Sequence, residues 1–433
     1  MSIIVFLTMS IEQPRPVHLL TKNPDGWIRN SLPKIRAVNQ SILPRIVPSL
    51  ELWKCLSMAE RHAYVSTIVK DELEKNWLER TGIKAEDTKF TIVIPIKDEE
   101  KYLPSTLGTL MTSGIPESAQ VKIIFITNGC TDNGKSANII QQFMEGIGEV
   151  DEERITNELF HDSLPDINLD ATHRAVNLGR IQFMHLNTSV ASKANALNIA
   201  NKIAVKHGPI AFNIDANSFI EPDAIAEMYK YAHNHICQKQ DGTVVMDAKE
   251  FYDFKPSLFR GIIKRGTDSA KEYYSKKDTE IKGGFMAWDT EWLESVGGVP
   301  PVVHDDYAMS LLARNDGKKV AHVETANVWD YHATTPTDVL SYMSRIVRGS
   351  LQIQALFRDN STVQSVIKDD LRFMKDLPDR IFNLLYHGKE KPKKLPYYVL
   401  SFILLELAII KGRHDYRKNP NGQSWNGISS TKN

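Results

Sequence analysis

From residue 89 onward, short β-rich apolar runs alternate with helix-forming segments, and this alternation restricts the fold more than any other feature of the chain. Residues 90–95, 121–126, 181–186 and 210–214 read as strands, and residues 103–111, 136–144 and 192–207 read as helices between them. Strands separated by helices predict parallel β-α-β units with right-handed crossovers. The expected fold class is therefore α/β, with a doubly wound, mostly parallel sheet and helical additions at both ends. Such a sheet binds ligands beyond the carboxyl ends of its strands, so the polar residues just past each apolar run are where chemistry is expected.

Those residues form a series. Pro95-Ile96-Lys97-Asp98-Glu99-Glu100 closes the first run and Thr127-Asn128-Gly129-Cys130-Thr131-Asp132 the second. Ser192-Lys193-Ala194-Asn195-Ala196-Leu197-Asn198 opens a helix, and Asp215-Ala216-Asn217 follows the next run. Further on, Lys282-Gly283-Gly284-Phe285-Met286-Ala287-Trp288 precedes His304-Asp305-Asp306-Tyr307. Each string has an ordinary structural reading. Acids at a helix start favour its dipole, Asn-Gly and Thr-Asp build turns without a ligand, and Lys193 could be a solvated surface residue. The information lies in their order and spacing.

Taken together, the strings resemble the inverting glycosyltransferases of family 2, which carry the GT-A nucleotide-sugar-binding fold. The resemblance covers roughly residues 89 to 350. The core is expected at 89–335, preceded by an N-terminal extension at 1–88 that reads as helical from the helix formers of 59–79, and followed by a helical C-terminal region at 336–433. The first segment is similar to Ile-Pro-x-x-Asn-Glu-Glu and implies that Pro95, Ile96, Lys97 and Glu99 line a base and ribose pocket, although Asp98 replaces the Asn. The second corresponds to Asp-Asp-Gly-Ser-Thr-Asp. Here Thr127 and Asn128 stand for the two acids, and Asn128 can still donate to and accept from a base edge.

By the same resemblance, Lys193 faces the diphosphate at a helix N-terminus, and Asp215 with Asn217 occupies the Asp-x-Asp position. Two convergent oxygens there imply a divalent cation, Mg²⁺ or Mn²⁺, bridging the donor's phosphates. Alternation along an extended strand would point them the same way. His332 is a further metal-ligand candidate, with a structural histidine as its alternative. Gly283 and Gly284 imply close backbone approach to an acceptor sugar, and Trp288 a stacking surface. Asp306 corresponds to the general base and Asp305 to a supporting contact. Arg345 and Arg348 match the arginines of a Gln-x-x-Arg-Trp segment and its downstream Arg-Gly, and are phosphate candidates. Tyr342 and Ile346 replace the Gln and Trp that hold a growing chain in polymerising members, which argues against processive synthesis.

Composition excludes some classes. Among 433 residues, Lys plus Arg and Asp plus Glu both number 53, so net charge gives no argument for nucleic acid. With 42% hydrophobic and 24% charged residues, the chain can bury a sizeable core. Cys55, Cys130 and Cys237 are far apart without metal-type spacing, favouring a reducing, cytoplasmic setting. The first residues lack a basic leader and a cleavage site, so no signal peptide is expected. An apolar stretch from 395 to 410 is interrupted by Glu406 and falls short of the ~20 residues that cross a bilayer. Lysines and arginines border it over 389–418, which suits a peripheral anchor on an anionic membrane surface. Packing on the core explains the apolar residues equally well.

The expected reaction is transfer of a hexose or amino sugar from a nucleotide diphosphate donor, a UDP-sugar favoured, to a glycan, lipid or small-molecule hydroxyl. A nucleotidyltransferase on the same fold and a catalytically inactive nucleotide-sugar-binding homologue are the competing readings. A dinucleotide-binding oxidoreductase would need Gly-x-Gly-x-x-Gly after a strand, which this sequence lacks.

Overall fold

The computed structural model describes residues 73–111, 113–147, 150–154, 172–254, 281–332, 335–370, 381, 389 and 395–422. Most of the expected N-terminal extension, residues 1–72, therefore lies outside the described residues. So do parts of the polar stretch at 149–174 and of the helical region around 371–394.

One sheet of ten strands organises the core, in the order β3-β4-β5-β2-β1-β6-β9-β8-β10-β7. The strands are β1 Lys89–Ile96, β2 Gln120–Asn128, β3 Asp151–Arg154, β4 Thr172–Leu178 and β5 Ile181–Thr188, then β6 Ile210–Ile214, β7 Ser218–Ile220, β8 Thr243–Phe254, β9 Phe285–Asp289 and β10 Lys319–His332. β1 pairs in parallel with β2 and β6, β2 with β5, and β8 with β10. β4, β7 and β9 run against the rest. The sheet is thus doubly wound and mostly parallel, as the alternating pattern predicts.

The central strands are mostly apolar because both faces are covered. Phe90, Ile92, Ile94 and Ile96 of β1 join Val121, Ile123 and Phe125 of β2 on one face. Val93, Ile124 and Ile126 point to the other. Helices α1 Leu103–Met111, α2 Lys135–Ile147 and α4 Ala224–Ala232 close the first face, and α3 Lys193–His207 closes the second. Burying each such side chain contributes about 1.5–3 kcal/mol. Trp77, at the described end of the extension, belongs to this core: its ring stacks 6.2 Å from Phe90, and its indole N–H donates to Thr88 Oγ1 at 2.9 Å.

Four further helices follow β9 and β10: α5 Thr290–Ser295, α6 Asp305–Asn315, α7 Pro336–Leu356 and α8 Ser361–Asp370. α7 starts sharply because Thr335 caps it, accepting from the Asp338 N–H at 3.2 Å, and Pro336 occupies its first position. The last helix, α9 Leu395–Lys418, lies along α7, with Leu405 and Ile409 in a cluster that includes Val347 and Ile353. No helix among the described residues is long and apolar enough to cross a membrane.

Candidate active site

The carboxyl ends of β1, β2 and β6 lie at one sheet edge, and the reversed direction of β9 brings its leading glycines to that same edge. Ile214 pairs with Phe285, and the Asp215 N–H donates to Gly284 O at 3.0 Å. β8 and β10 run parallel to β6 and deliver Glu250 and Asp330 there. Six acids from five separate parts of the chain, Glu99, Asp215, Glu250, Asp305, Asp306 and Asp330, come from this edge and the helix start facing it.

Lys193, the first residue of α3, stands among them. Its ammonium lies 2.7 Å from Asp215 Oδ1 and 3.5 Å from Asp305 Oδ2, and donates to Gly283 O at 3.4 Å. Burial lowers its pKa, but Asp215, Asp305 and Asp306 outweigh that and hold the group above the ordinary lysine range. Burial raises Asp215 and Asp305 above usual carboxylate values, opposed by the same ammonium. Asn213, fully buried in β6, braces this centre. Its amide donates to Asp215 Oδ1 at 3.0 Å and to Gly283 O at 2.7 Å, while its Oδ1 has no partner among the described residues.

Asp306 has two unlike oxygens. Oδ1 accepts from the Tyr307 N–H at 2.9 Å and lies 3.3 Å from His304 Nε2. Oδ2 faces the space over Gly283: a Cβ there would sit 3.2 Å from it and 3.1 Å from Lys193 Nζ. One oxygen is fixed and the other is aimed into the site. Gly284 is closed in more tightly: a Cβ there would collide with the Asp330 carboxylate, with Glu250 beside it. Burial, then the neighbouring Glu250 carboxylate, hold Asp330 well above the carboxylate range, and Ser218 donates its hydroxyl to Asp330.

At the ends of β1 and β2, Asp98 adopts a left-handed φ of 54° and accepts from Thr131 Oγ1 at 3.0 Å and from the Thr131 N–H, tying the two strand ends together. Lys97 and Glu99 are buried behind it, with the Glu99 N–H donating to Ser136 Oγ at 3.1 Å. Pro95 and Ile96 end β1, with Ile96 fully buried. Thr127 turns toward β5, where its hydroxyl meets His185 Nε2 at 3.1 Å and donates to Asn187 Oδ1 at 2.9 Å. Asn128 is fully buried, and neither atom of its amide is hydrogen-bonded among the described residues. An unpaired buried amide costs about 1–3 kcal/mol, and a ligand edge carrying a donor beside an acceptor would satisfy both atoms.

Two expectations need correction. Trp288 offers no stacking surface: it is fully buried in β9, and its indole N–H donates to Asn201 Oδ1 at 2.9 Å. Asp215 and Asn217 do not lie on an extended strand. The segment is a turn, closed by the Ser218 N–H donating to Asp215 O at 2.9 Å, so strand alternation does not orient them. The pair Gly297-Gly298 serves packing. With φ at 86°, Gly298 allows Asn198 of α3 to clamp the loop, accepting from the Val299 N–H at 2.7 Å and donating to Val299 O at 2.9 Å.

The remaining site residues are placed as follows. His332 is the last residue of β10. Arg345 lies over the Tyr342 ring at 5.5 Å, and Arg348 is drawn toward Asp415 of α9. α7 nevertheless touches the site, since a Cβ on Gly349 would come 2.7 Å from His304 Cβ. Asn213, Glu250, His304 and Asp330 were given no role by sequence. A polar residue inside the apolar run at 210–214 was the signal available for Asn213.

For a divalent cation the donor set fits: hard carboxylate oxygens on Asp215 and Asp305, and the unpartnered Oδ1 of Asn213 close behind. Among the described residues, Asp98, Cys130 and Asp132 also come within metal-ligand distances of one another. That cluster is a turn. Asp132 accepts from the Gly134 and Ser136 N–H groups at 3.1 and 2.8 Å, and burial pushes the Cys130 thiol up to about 11.

No family model matches the sequence, and no curated protein is similar to it by sequence. Among solved structures, the chain is similar to the mannosyltransferase PcManGT from Pyrobaculum calidifontis in complex with GDP-Man and Mn²⁺, at 16% identity and a TM-score of 0.46, over 79% of this chain and 93% of that one. It is also similar to S. aureus TarS 1–349, at 14% identity and a TM-score of 0.35, over 76% and 92%. GalNAc-T7 with UDP, GalNAc and Mn²⁺ matches at 13% identity and a TM-score of 0.37, over 69% of this chain and 58% of that one. These neighbours are glycosyltransferases of the GT-A type. At TM-scores below 0.5 they supply no residue-level correspondence.

Proposed function

We propose that this chain is an inverting, non-processive glycosyltransferase that moves a sugar from a nucleoside diphosphate donor to a hydroxyl acceptor. The observation that supports this most is the convergence of Lys193, Asp215 and Asp306 around Gly283. A cation and a carboxylate for the diphosphate side thus stand beside a second carboxylate for the acceptor side. Neither a packing cluster nor a simple helix cap requires all three at one point.

In this reading the acceptor hydroxyl gives its proton to Asp306 Oδ2 as its oxygen bonds to the anomeric carbon. The bond from that carbon to the diphosphate breaks, and its electron pair leaves on the phosphate oxygen. Lys193 neutralises that oxygen, and Asp305 holds the Lys193 ammonium in place. A bound Mg²⁺ or Mn²⁺ would be held by Asp215, with Asn217 and His332 as further ligands, and would supply Lewis-acid stabilisation of the leaving diphosphate. Asn128 would read the base. The Asn128 amide complements any base edge with an N–H donor beside an acceptor, uracil and guanine alike, and a UDP-sugar is favoured by the family resemblance. Pro95, Ile96, Lys97 and Glu99 would form the pocket wall, and the backbone at Gly283 would admit the sugar, with Gly284 closed behind it by Asp330 and Glu250. Arg345 would serve as a phosphate candidate after leaving the Tyr342 ring, and Arg348 after turning from Asp415 of α9.

The chain is further proposed to rest on an anionic membrane surface at the cytoplasmic face. Leu395, Val399, Ile403, Leu407 and Ile410 form one exposed stripe of α9, opposite the residues that pack on α7. At 100° per residue, Arg413, His414 and Arg417 continue the same face and are exposed. An apolar stripe running into basic residues matches acyl chains beneath anionic headgroups.

A panel of nucleotide sugars with Mn²⁺, read by thermal shift and by nucleoside diphosphate release, tests the activity. Stabilisation by one donor together with release is the expected result. Stabilisation without release, even with an acceptor library present, would favour an inactive nucleotide-sugar-binding protein instead.

A further inference from the structure

We propose that Lys193 holds the place of the divalent cation in the free protein, so that metal enters only as the donor's diphosphate draws the ammonium away. The proposal rests on the glycosyltransferase reading and adds an order of binding to it.

Asp215, Asp305 and Asp306 face Lys193, and the ammonium with its three oxygen neighbours, at 2.7, 3.4 and 3.5 Å, sits where a hard cation would. Desolvated carboxylates need a counter-charge or they take up protons, and among the described residues Lys193 is the cation in contact with Asp215 and Asp305. The fit is incomplete. Asp305 is 7% exposed, yet its Oδ2 makes no hydrogen bond and meets the ammonium only at the longer distance. One buried anionic oxygen is thus left undersatisfied beside the centre.

A divalent ion on Asp215 Oδ1 would meet the ammonium at hydrogen-bond distance, and the two like charges could not share that oxygen. Lys193 has an unbranched, four-carbon stem and starts α3, where free backbone N–H groups favour phosphate. An arriving diphosphate therefore gives the ammonium a new partner and frees Asp215 in one movement. Linkage requires that nucleotide and metal each tighten the other's binding by the same factor.

Free Mn²⁺ can be counted by electron paramagnetic resonance, with and without UDP, after correction for the Mn²⁺–UDP complex in solution. Wild type is expected to bind Mn²⁺ weakly alone and about 5- to 150-fold more tightly with UDP. Lys193→Gln should bind Mn²⁺ more tightly than wild type without nucleotide and lose most of the gain on adding UDP. Lys193→Met is the companion should the first variant melt early, and Lys193→Arg should behave as wild type. Equal Mn²⁺ affinity of wild type with and without UDP would overturn the exchange without recourse to any variant. So would Lys193→Gln matching nucleotide-free wild type while Asp215→Asn abolishes binding, and the metal site would then stand alone. Unchanged Mn²⁺ binding in Asp215→Asn would remove the metal site itself, and the exchange with it.

Discussion

Gly284 and Asp330 are in such close approach that a Cβ on the glycine would lie 2.5 Å from the Asp330 Oδ2, with Glu250 Oε1 3.0 Å from the same point. A side chain at 284 cannot be accommodated unless the acid pair separates. Gly284→Ala is therefore expected to destabilise the protein by about 1–3 kcal/mol, the usual scale for overpacking a filled site. Urea unfolding of the variant against wild type measures this. An unchanged midpoint would mean that the two acids swing aside at no cost.

Asp306→Asn should lower turnover by ~10²–10⁴-fold, the range for loss of a general base. Donor affinity should stay close to wild type, because Lys193 and Asp215 remain. Calorimetry for donor binding and product release for rate separate the two effects. Turnover near the wild-type rate would take Asp306 out of the mechanism.

Acid should weaken the fold through His185. Burial, with help from Arg174, lowers this imidazole from 6.5 to about 4, and the side chain is 5% exposed. The unfolded chain therefore binds the extra proton first, and stability is lost as pH falls from about 6.5 to about 4. Full loss across that window is on the order of 3 kcal/mol. Urea midpoints at pH 7, 5.5 and 4.5 should fall steadily, and His185→Gln should flatten the trend. His207, lowered to about 4 mainly by its own burial, adds a smaller increment because it is more exposed.

Charging the exposed stripe of α9 should detach the protein from membranes. Ile403→Glu with Leu407→Glu is expected to abolish co-sedimentation with anionic vesicles while leaving the melting temperature nearly unchanged. Both residues are about half exposed, at 48% and 46%. Added salt should weaken wild-type binding, since headgroup attraction is screened over ~10 Å at 0.1 M. A wild-type chain that ignores vesicles but dimerises through this face would replace lipid with a second copy as its partner.

β1, β2, β5 and β6 could be read from sequence because burial on both faces makes them rich in apolar residues over short runs. β10 could not. It exposes Glu324 and Thr325 and shifts register against β8 between Val323 and Asn327, so no period persists along its length. β3 and the start of β4 fall within a polar stretch without a period, β4 pairing with β5 and β3 with β4. The site divides in the same way. Lys193, Asp215, Asp305 and Asp306 sit in short motifs and were legible. Glu250 and Asp330, 80 positions apart, are brought together by the pairing of β8 with β10 and have no local signature. Trp288 misled because an aromatic residue after two glycines looks alike in sequence whether it faces a ligand or fills a core.

The clamp of Asn198 on Val299 has a consequence for how this protein could be altered. One helix, α3, carries Lys193 at its first residue and, little more than one turn later, grips the loop that leads to Asp305 and Asp306. The two halves of the proposed reaction centre thus share a single mount. Changes that tilt α3 should shift the apparent affinities for both reactants together. Exchanging the acceptor loop for one of different length would succeed only where the anchoring asparagine still finds its backbone partner.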